Sequence, residues 1–141
     1  MDKPKNPTKL FPLIITNDLA AVRAYYVDVL GCELTHDLDG YLQVRFGKEA
    51  EAPELCFMPP GGMAAVGAAA KAFPGEGVLV SVPTGDADAH HRLLEQRGAS
   101  IASPPADKPW GWRSFLVRDP NGLILDFFHV LAQADAADAA S

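Results

Sequence analysis

The chain states one pattern twice, and that repetition limits what it can become. A short apolar strand, a capped helix, a glycine stop and three more strands run over residues 10–58. They recur over residues 77–130, about 65 residues further on. In the first pass Leu10 to Thr16 (LFPLIIT) reads as a strand with Phe11, Leu13 and Ile15 on one face. Pro12 has no N–H for a ladder, which puts that end at an edge or a bulge. Asn17 or Asp18 caps a helix running to about Leu30, with Leu19, Val22, Tyr26, Val29 and Leu30 as its apolar stripe and Gly31 as its stop. Strands follow over 32–37, 41–46 and 54–58, the first two joined by the hairpin signal Asp39-Gly40.

The second pass opens on a continuous apolar strand, residues 77–82. Thr84 or Asp86 caps a helix ending at Arg97 before Gly98, with Ala89 and Leu93 pointing inward and Leu94 at the stripe's edge. A short strand (99–102), a polar proline-rich loop (103–108) and a final hairpin complete it. This order predicts an α+β chain: two βαβββ modules whose sheets form a curved, eight-stranded cup, helices outside and a cleft within. Residues 1–9 read as an N-terminal tail, 59–76 as a Gly/Ala/Pro-rich linker, and 131–141 as an Ala- and Asp-rich C-terminal tail.

The bulk properties narrow the function classes. A hydrophobic content of 48% supports a packed core, and a net charge of −6 with scattered basic residues argues against nucleic acid as a partner. No apolar run reaches the roughly 20 residues of a membrane span, and the first residues, MDKPKNPTK, lack the apolar stretch of a signal peptide. A cytoplasmic location without membrane partners is expected. Cys32 and Cys56 then read as buried small hydrophobes, not as a disulfide framework.

The final hairpin, PWGWRSFLVRDPNGLILDFFH (109–129), carries most of the candidate chemistry. Asp119-Pro120-Asn121-Gly122 is turn chemistry, with φ fixed at Pro and the left-handed region open to Asn and Gly. Alternation sets Arg113, Phe115 and Val117 against Trp112, Ser114 and Leu116, and sets Ile124, Asp126 and Phe128 against Leu123, Leu125 and Phe127. Asp126 therefore points out of an otherwise apolar strand, toward water or into a cavity. Trp110 and Trp112 around Arg113 suit stacking on a flat ligand, with the guanidinium fixing a polar group. Phe11, Phe57, Phe115 and Phe128 either line one cavity or are core. Tyr41, Gln43 and Arg45 share one face, either solvated or supplying hydrogen bonds. His90 and His91 read as helix surface.

NDLAAVRAYYVDVLGCEL in the first module, with GASI and FLVRDPNGLILDFF in the second, resembles the vicinal oxygen chelate superfamily: glyoxalase I, bleomycin-resistance proteins and extradiol dioxygenases. PWGWRSFLVRDPNG is most similar to the bleomycin-resistance branch. The resemblance implies the cup fold. It also implies metal ligands (His, Gln or Glu) in the first strand of each module and late in the last. Those positions here hold Phe11, Gly77 or Val78, Cys56 or Phe57, and Asp126, and one carboxylate falls short of the three protein ligands of a catalytic zinc. The expectation is therefore a metal-independent protein without cofactor, not an enzyme, that sequesters a small aromatic or amphipathic, antibiotic-like molecule as a homodimer. Its ligand-binding residues would be Phe11, Tyr41, Gln43, Phe57, Trp110, Trp112, Arg113, Phe115, Asp126 and Phe128. The alternative is a metal-dependent lyase, isomerase or dioxygenase that combines Asp126 with histidine from elsewhere or from a partner chain. A third reading is a module kept only for protein association.

Overall fold

The structure is a computed structural model that describes residues 6–61 and 71–132. Residues 1–5 of the expected N-terminal tail, 62–70 of the expected linker and 133–141 of the expected C-terminal tail lie outside the described residues. The chain divides into two compact units, Met1–Phe73 and Pro74–Ser141. The fold is α+β, one βαβββ module in each unit. Among the described residues no helix is long and apolar enough to cross a membrane.

The first module runs β1 (Leu13–Ile15), α1 (Leu19–Ala24), β2 (Glu33–Leu38), β3 (Tyr41–Arg45) and β4 (Glu54–Met58). Its sheet has the order β1-β4-β3-β2, with β1 parallel to β4 and the other pairs antiparallel. Asp18 is the cap, its carboxylate accepting the Ala21 N–H at 3.0 Å. The α-helix does not continue to Leu30. It widens into a π-helical turn over Tyr25–Val29, closed by the Leu30 N–H on the Tyr25 carbonyl at 3.0 Å. The apolar spacing explains this. Val22, Tyr26 and Leu30 recur every four residues, a period that drifts around a 3.6-residue helix and is held on one side by a wider turn. All three are buried. Tyr26 packs on Phe57 at 5.0 Å and Phe46 at 6.2 Å.

The second module runs β5 (Leu79–Pro83), α2 (Ala87–Gln96), β6 (Ser100–Asp107), β7 (Trp112–Arg118) and β8 (Ile124–Val130), in the sheet order β5-β8-β7-β6. Two expectations are corrected. The proline-rich stretch expected as a loop belongs to β6. That strand is an edge, and its register shifts between Ile101 and Ser103 and again between Ser103 and Ala106, which accommodates Pro104 and Pro105. Nor do Ala89 and Leu93 face inward, since both are exposed, while Ala87 and Leu94 are buried. Between them His90 lies 4.7 Å from Phe127 and 5.6 Å from Phe115, and His91 lies 5.4 Å from Phe115. The two histidines belong to the packing face of α2, not to its free surface. Two phenyl rings on the sheet make a bed for imidazoles that a count of aliphatic residues does not detect.

The β7–β8 turn is built by Asp119, whose carboxylate oxygen accepts the N–H groups of Asn121 at 2.7 Å and Leu123 at 2.9 Å. Gly122 has φ +83°, and a Cβ there would lie 3.0 Å from the Gly75 Cα. The expected linker is therefore anchored at its far end. The Phe73 N–H donates to the Ile15 carbonyl at 2.8 Å, and Gly75 packs against the final turn.

Candidate functional site

Each sheet has one face under its own helix and one face away from it, and strand alternation assigns the candidate residues. In the first module Leu42 sits opposite Phe57 and Val44 opposite Leu55, on the side of Tyr26. Gln43 sits opposite Cys56, and Arg45 opposite Glu54, on the other side. A polar chain crosses that second face. The Tyr41 hydroxyl donates to Gln43 Oε1 at 2.8 Å, and Gln43 Nε2 donates to Glu54 Oε1 at 2.9 Å. The Thr35 hydroxyl reaches the same oxygen at 3.1 Å, and Lys9 Nζ pairs with Glu54 Oε2 at 2.8 Å. Burial alone would raise the Glu54 carboxyl, but hydrogen bonds from Lys9, Gln43 and Thr35 together lower it below the ordinary glutamate value. Lys9 also donates to the Ala50 and Ala52 carbonyls. A cleft of about 250 Å³ opens elsewhere in this unit, lined by Leu19, Arg23, Leu38 and Tyr41 among others.

In the second module Phe115 sits opposite Phe127 and Val117 opposite Leu125, under α2. Arg113 shares that side. Its Nε and Nη2 grip Asp88 on α2, each at 2.9 Å, and its Nη1 holds Asp107 on β6 at 3.0 Å. Those bonds raise the guanidinium still further, and the Arg113 hydrogen bonds hold the Asp88 carboxyl below the usual range. The opposite face carries Trp112, Ser114, Leu116, Asp126 and Phe128, by the register Ser114↔Phe128 and Leu116↔Asp126. Trp112 and Phe128 stack at 3.7 Å and 11°, forming a flat aromatic shelf. Trp110, 63% exposed, meets Trp112 edge-on at 6.4 Å. Asp126 is 8% exposed. Its Oδ2 accepts the Ser81 hydroxyl at 3.1 Å, and its Oδ1 has no hydrogen-bond partner among the described residues. Among those residues the buried Ser114 Oγ has none either.

Of the ten residues expected to bind ligand, Trp112, Asp126 and Phe128 come together on one face of the second module, with Trp110 at the side. Tyr41 and Gln43 share the helix-free face of the first. Phe57, Phe115 and Arg113 lie under the helices, where alternation puts them in the core or in a helix clamp. Phe11 is half-buried ahead of β1. Sequence reasoning missed Ser81, Glu54, Thr35 and Lys9. Strand pairing was the missing information, since Ser81 and Glu54 acquire meaning only beside Asp126 and Gln43.

Strand pairing sets Ser81 beside Asp126 and Leu13 beside Cys56. Leu13 offers no donor and Ser81 is bound to Asp126. Among the described residues no three His, Cys, Asp or Glu side chains gather, so this donor set does not fit zinc or a harder divalent ion.

The family model described as the glyoxalase/bleomycin resistance protein/dioxygenase superfamily matches residues 10–127. Among solved structures, a glyoxalase/bleomycin resistance protein/dioxygenase from Nocardioides is 26% identical, with TM-score 0.72 over 93% of this chain and 88% of that one. A superfamily member from Sphaerobacter thermophilus is 25% identical, with TM-score 0.64 over 84% and 93%. TioX from Micromonospora is 24% identical, with TM-score 0.68 over 88% and 99%, a likeness of fold. No curated protein matches the chain.

Proposed function

The chain belongs to the glyoxalase/bleomycin resistance protein/dioxygenase superfamily, and from that premise we propose that it binds and sequesters a small planar aromatic molecule carrying a hydrogen-bond donor, without metal and without making or breaking a bond. One observation carries this reading: a stacked Trp112–Phe128 shelf shares a sheet face with two buried polar atoms, Asp126 Oδ1 and Ser114 Oγ, that have no partner among the described residues. An unmet buried acceptor costs stability, so a fold keeps one where something else supplies the donor. A protonated amine or hydroxyl on a flat ring supplies it, while the ring stacks on the aromatic pair.

The donor set at Asp126 supports binding over metal chemistry, and a single-step binding protein needs only the shelf and the acceptor. Protection by sequestration, and a paired-chain assembly as the resemblance implies, belong to the same proposal. The first module offers its own polar surface, Tyr41 and Gln43 oriented by Glu54, to the same test.

The test is a thermal-shift and tryptophan-fluorescence screen of planar aromatic amines against their saturated-ring analogues, each with chelator and with added divalent metal. The planar amines should raise Tm and quench Trp112, with chelator making no difference. At 100 times Kd the stabilisation is about 2.7 kcal/mol. Absence of any response to flat ligands, or tight stoichiometric metal with turnover, would overturn the reading.

A further inference from the structure

We propose that α2 is an acid-released clamp: proton uptake by His90 frees this helix from the β7–β8 face while the sheet itself stays paired. His90 packs the helix on the sheet as a neutral ring, and His129 ties the first turn of the helix to β8.

His90 is a packing residue. Its ring is wedged edge-on against Phe127 and Phe115, at 4.7 and 5.6 Å, and its Nδ1 is buried with no hydrogen-bond partner among the described residues. Protonation would place a charge and an N–H donor in that apolar wedge with nothing to receive them. Burial first, and then the Arg97 guanidinium at the end of α2, lower the His90 pKa below its free value.

His129 is an anchor. Its Nδ1 accepts the Ala87 N–H at 2.9 Å, satisfying one of the open donors in the first turn of α2. Because Nδ1 accepts, the ring hydrogen sits on Nε2.

The charges around these rings do not cancel the effect. On α2 itself Asp86 caps the helix through Ala89, His91 lies 3.8 Å from Glu95, and Asp88 is gripped by Arg113. Arg92 adds a further positive charge. Among facing strands, β5 carries no charged residue, β6 contributes Asp107, already bound to Arg113, and β7 contributes Arg113 directly opposite His129. Arg118 and Asp126 belong to the other face. Among the described residues no acidic side chain pairs with His90.

The sign follows from linkage. Above about pH 6.5 His90 is neutral whether α2 is docked or released, and nothing is lost. As pH falls through that value the released helix takes up the proton and the docked helix does not, so release gains. Each pKa unit between the two states is a factor of ten in the opening equilibrium.

Amide hydrogen exchange on the whole protein, corrected for intrinsic rates, tests the clamp between pH 7.5 and 5.5. In the wild type, protection of α2 amides should fall several-fold, up to about tenfold, with β7 and β8 falling far less. His90→Leu should leave α2 protection nearly flat. An equal slope in that variant, or a loss shared equally by the sheet, would overturn the proposal. Should His90→Leu fail to fold, ring-proton NMR titration of the wild type decides. A His90 midpoint below 6.5 that tracks loss of α2 protection supports the clamp, and ordinary midpoints with α2 unchanged refute it. The clamp stands whether or not the opposite face binds a ligand.

Discussion

Replacing Asp126 with leucine should make the free protein more stable and abolish its response to ligand. Asp126 is 8% exposed, and only one of its two carboxylate oxygens has a partner. Leaving a buried acceptor unmet costs about 1–3 kcal/mol, and more when it is charged. Against that gain stands the Ser81 hydrogen bond, worth about 0.5–1.5 kcal/mol, and most of this is recovered because Ser81 is exposed and its hydroxyl turns to water. Leucine has the same branched outline and, although bulkier, adds apolar contact beside Leu116. The net expectation for Asp126→Leu is a gain of about 1–2 kcal/mol, which in a chain of this length is a Tm rise of about 3–10 °C. Urea and thermal unfolding of the free protein read the stability. The same melts with a planar aromatic amine read the ligand response, which should vanish. Asp126→Asn, which keeps an acceptor for Ser81 but loses the charge, should fall between. A free-protein Tm that drops by several degrees in Asp126→Leu would show that the second oxygen has a structural partner, and the argument for a ligand-reading carboxylate would fail.

Trp112→Ala should abolish fluorescence quenching by flat ligands while costing stability about 0.5–1.5 kcal/mol for the lost stack on top of the apolar area the ring buries, whereas Arg113→Leu should loosen α2 in hydrogen exchange and leave ligand response intact; the reverse pattern would restore Arg113 to the binding set. Gly122→Ala combines a left-handed residue with a Cβ 3.0 Å from backbone, and should cost about 2–4 kcal/mol against about 1 kcal/mol for Gly40→Ala, which meets nothing within 4 Å; equal costs in urea melts would deny the close approach to Gly75. The Glu54 carboxyl is lowered in the fold, so its contribution is fully present above about pH 4.5 and is lost as pH falls below that value. Lys9→Met should remove part of that acid dependence, and an unchanged acid limb would disprove the coupling.

The fold was largely legible because its signals are local. Caps at Asp18 and Asp86, stops at Gly31 and Gly98 and the Asp119–Gly122 turn act over a few residues, and alternation along β7 and β8 assigned both faces correctly. The π-helical turn was not legible as such, although the four-residue spacing of Val22, Tyr26 and Leu30 contained it. Pro104 and Pro105 concealed β6, because bulge tolerance depends on being at an edge, which only the sheet order reveals. For the candidate site, parity separated Trp112 from Arg113 and set Asp126 beside Phe128. The Arg113 clamp was not legible because its partners Asp88 and Asp107 are remote in sequence. His90 was misjudged because a histidine scores as polar wherever it sits, and only Phe115 and Phe127 make it part of a core.

Neighbouring residues of β7 and β8 answer to different masters. Odd positions are occupied with α2, and even positions look the other way. Residues 112, 114, 126 and 128 can therefore change without renegotiating how α2 holds to the sheet. The same arrangement makes a single inserted or deleted residue in either strand far more damaging than almost any exchange of side chains, since it would swap the two jobs along the whole strand at once.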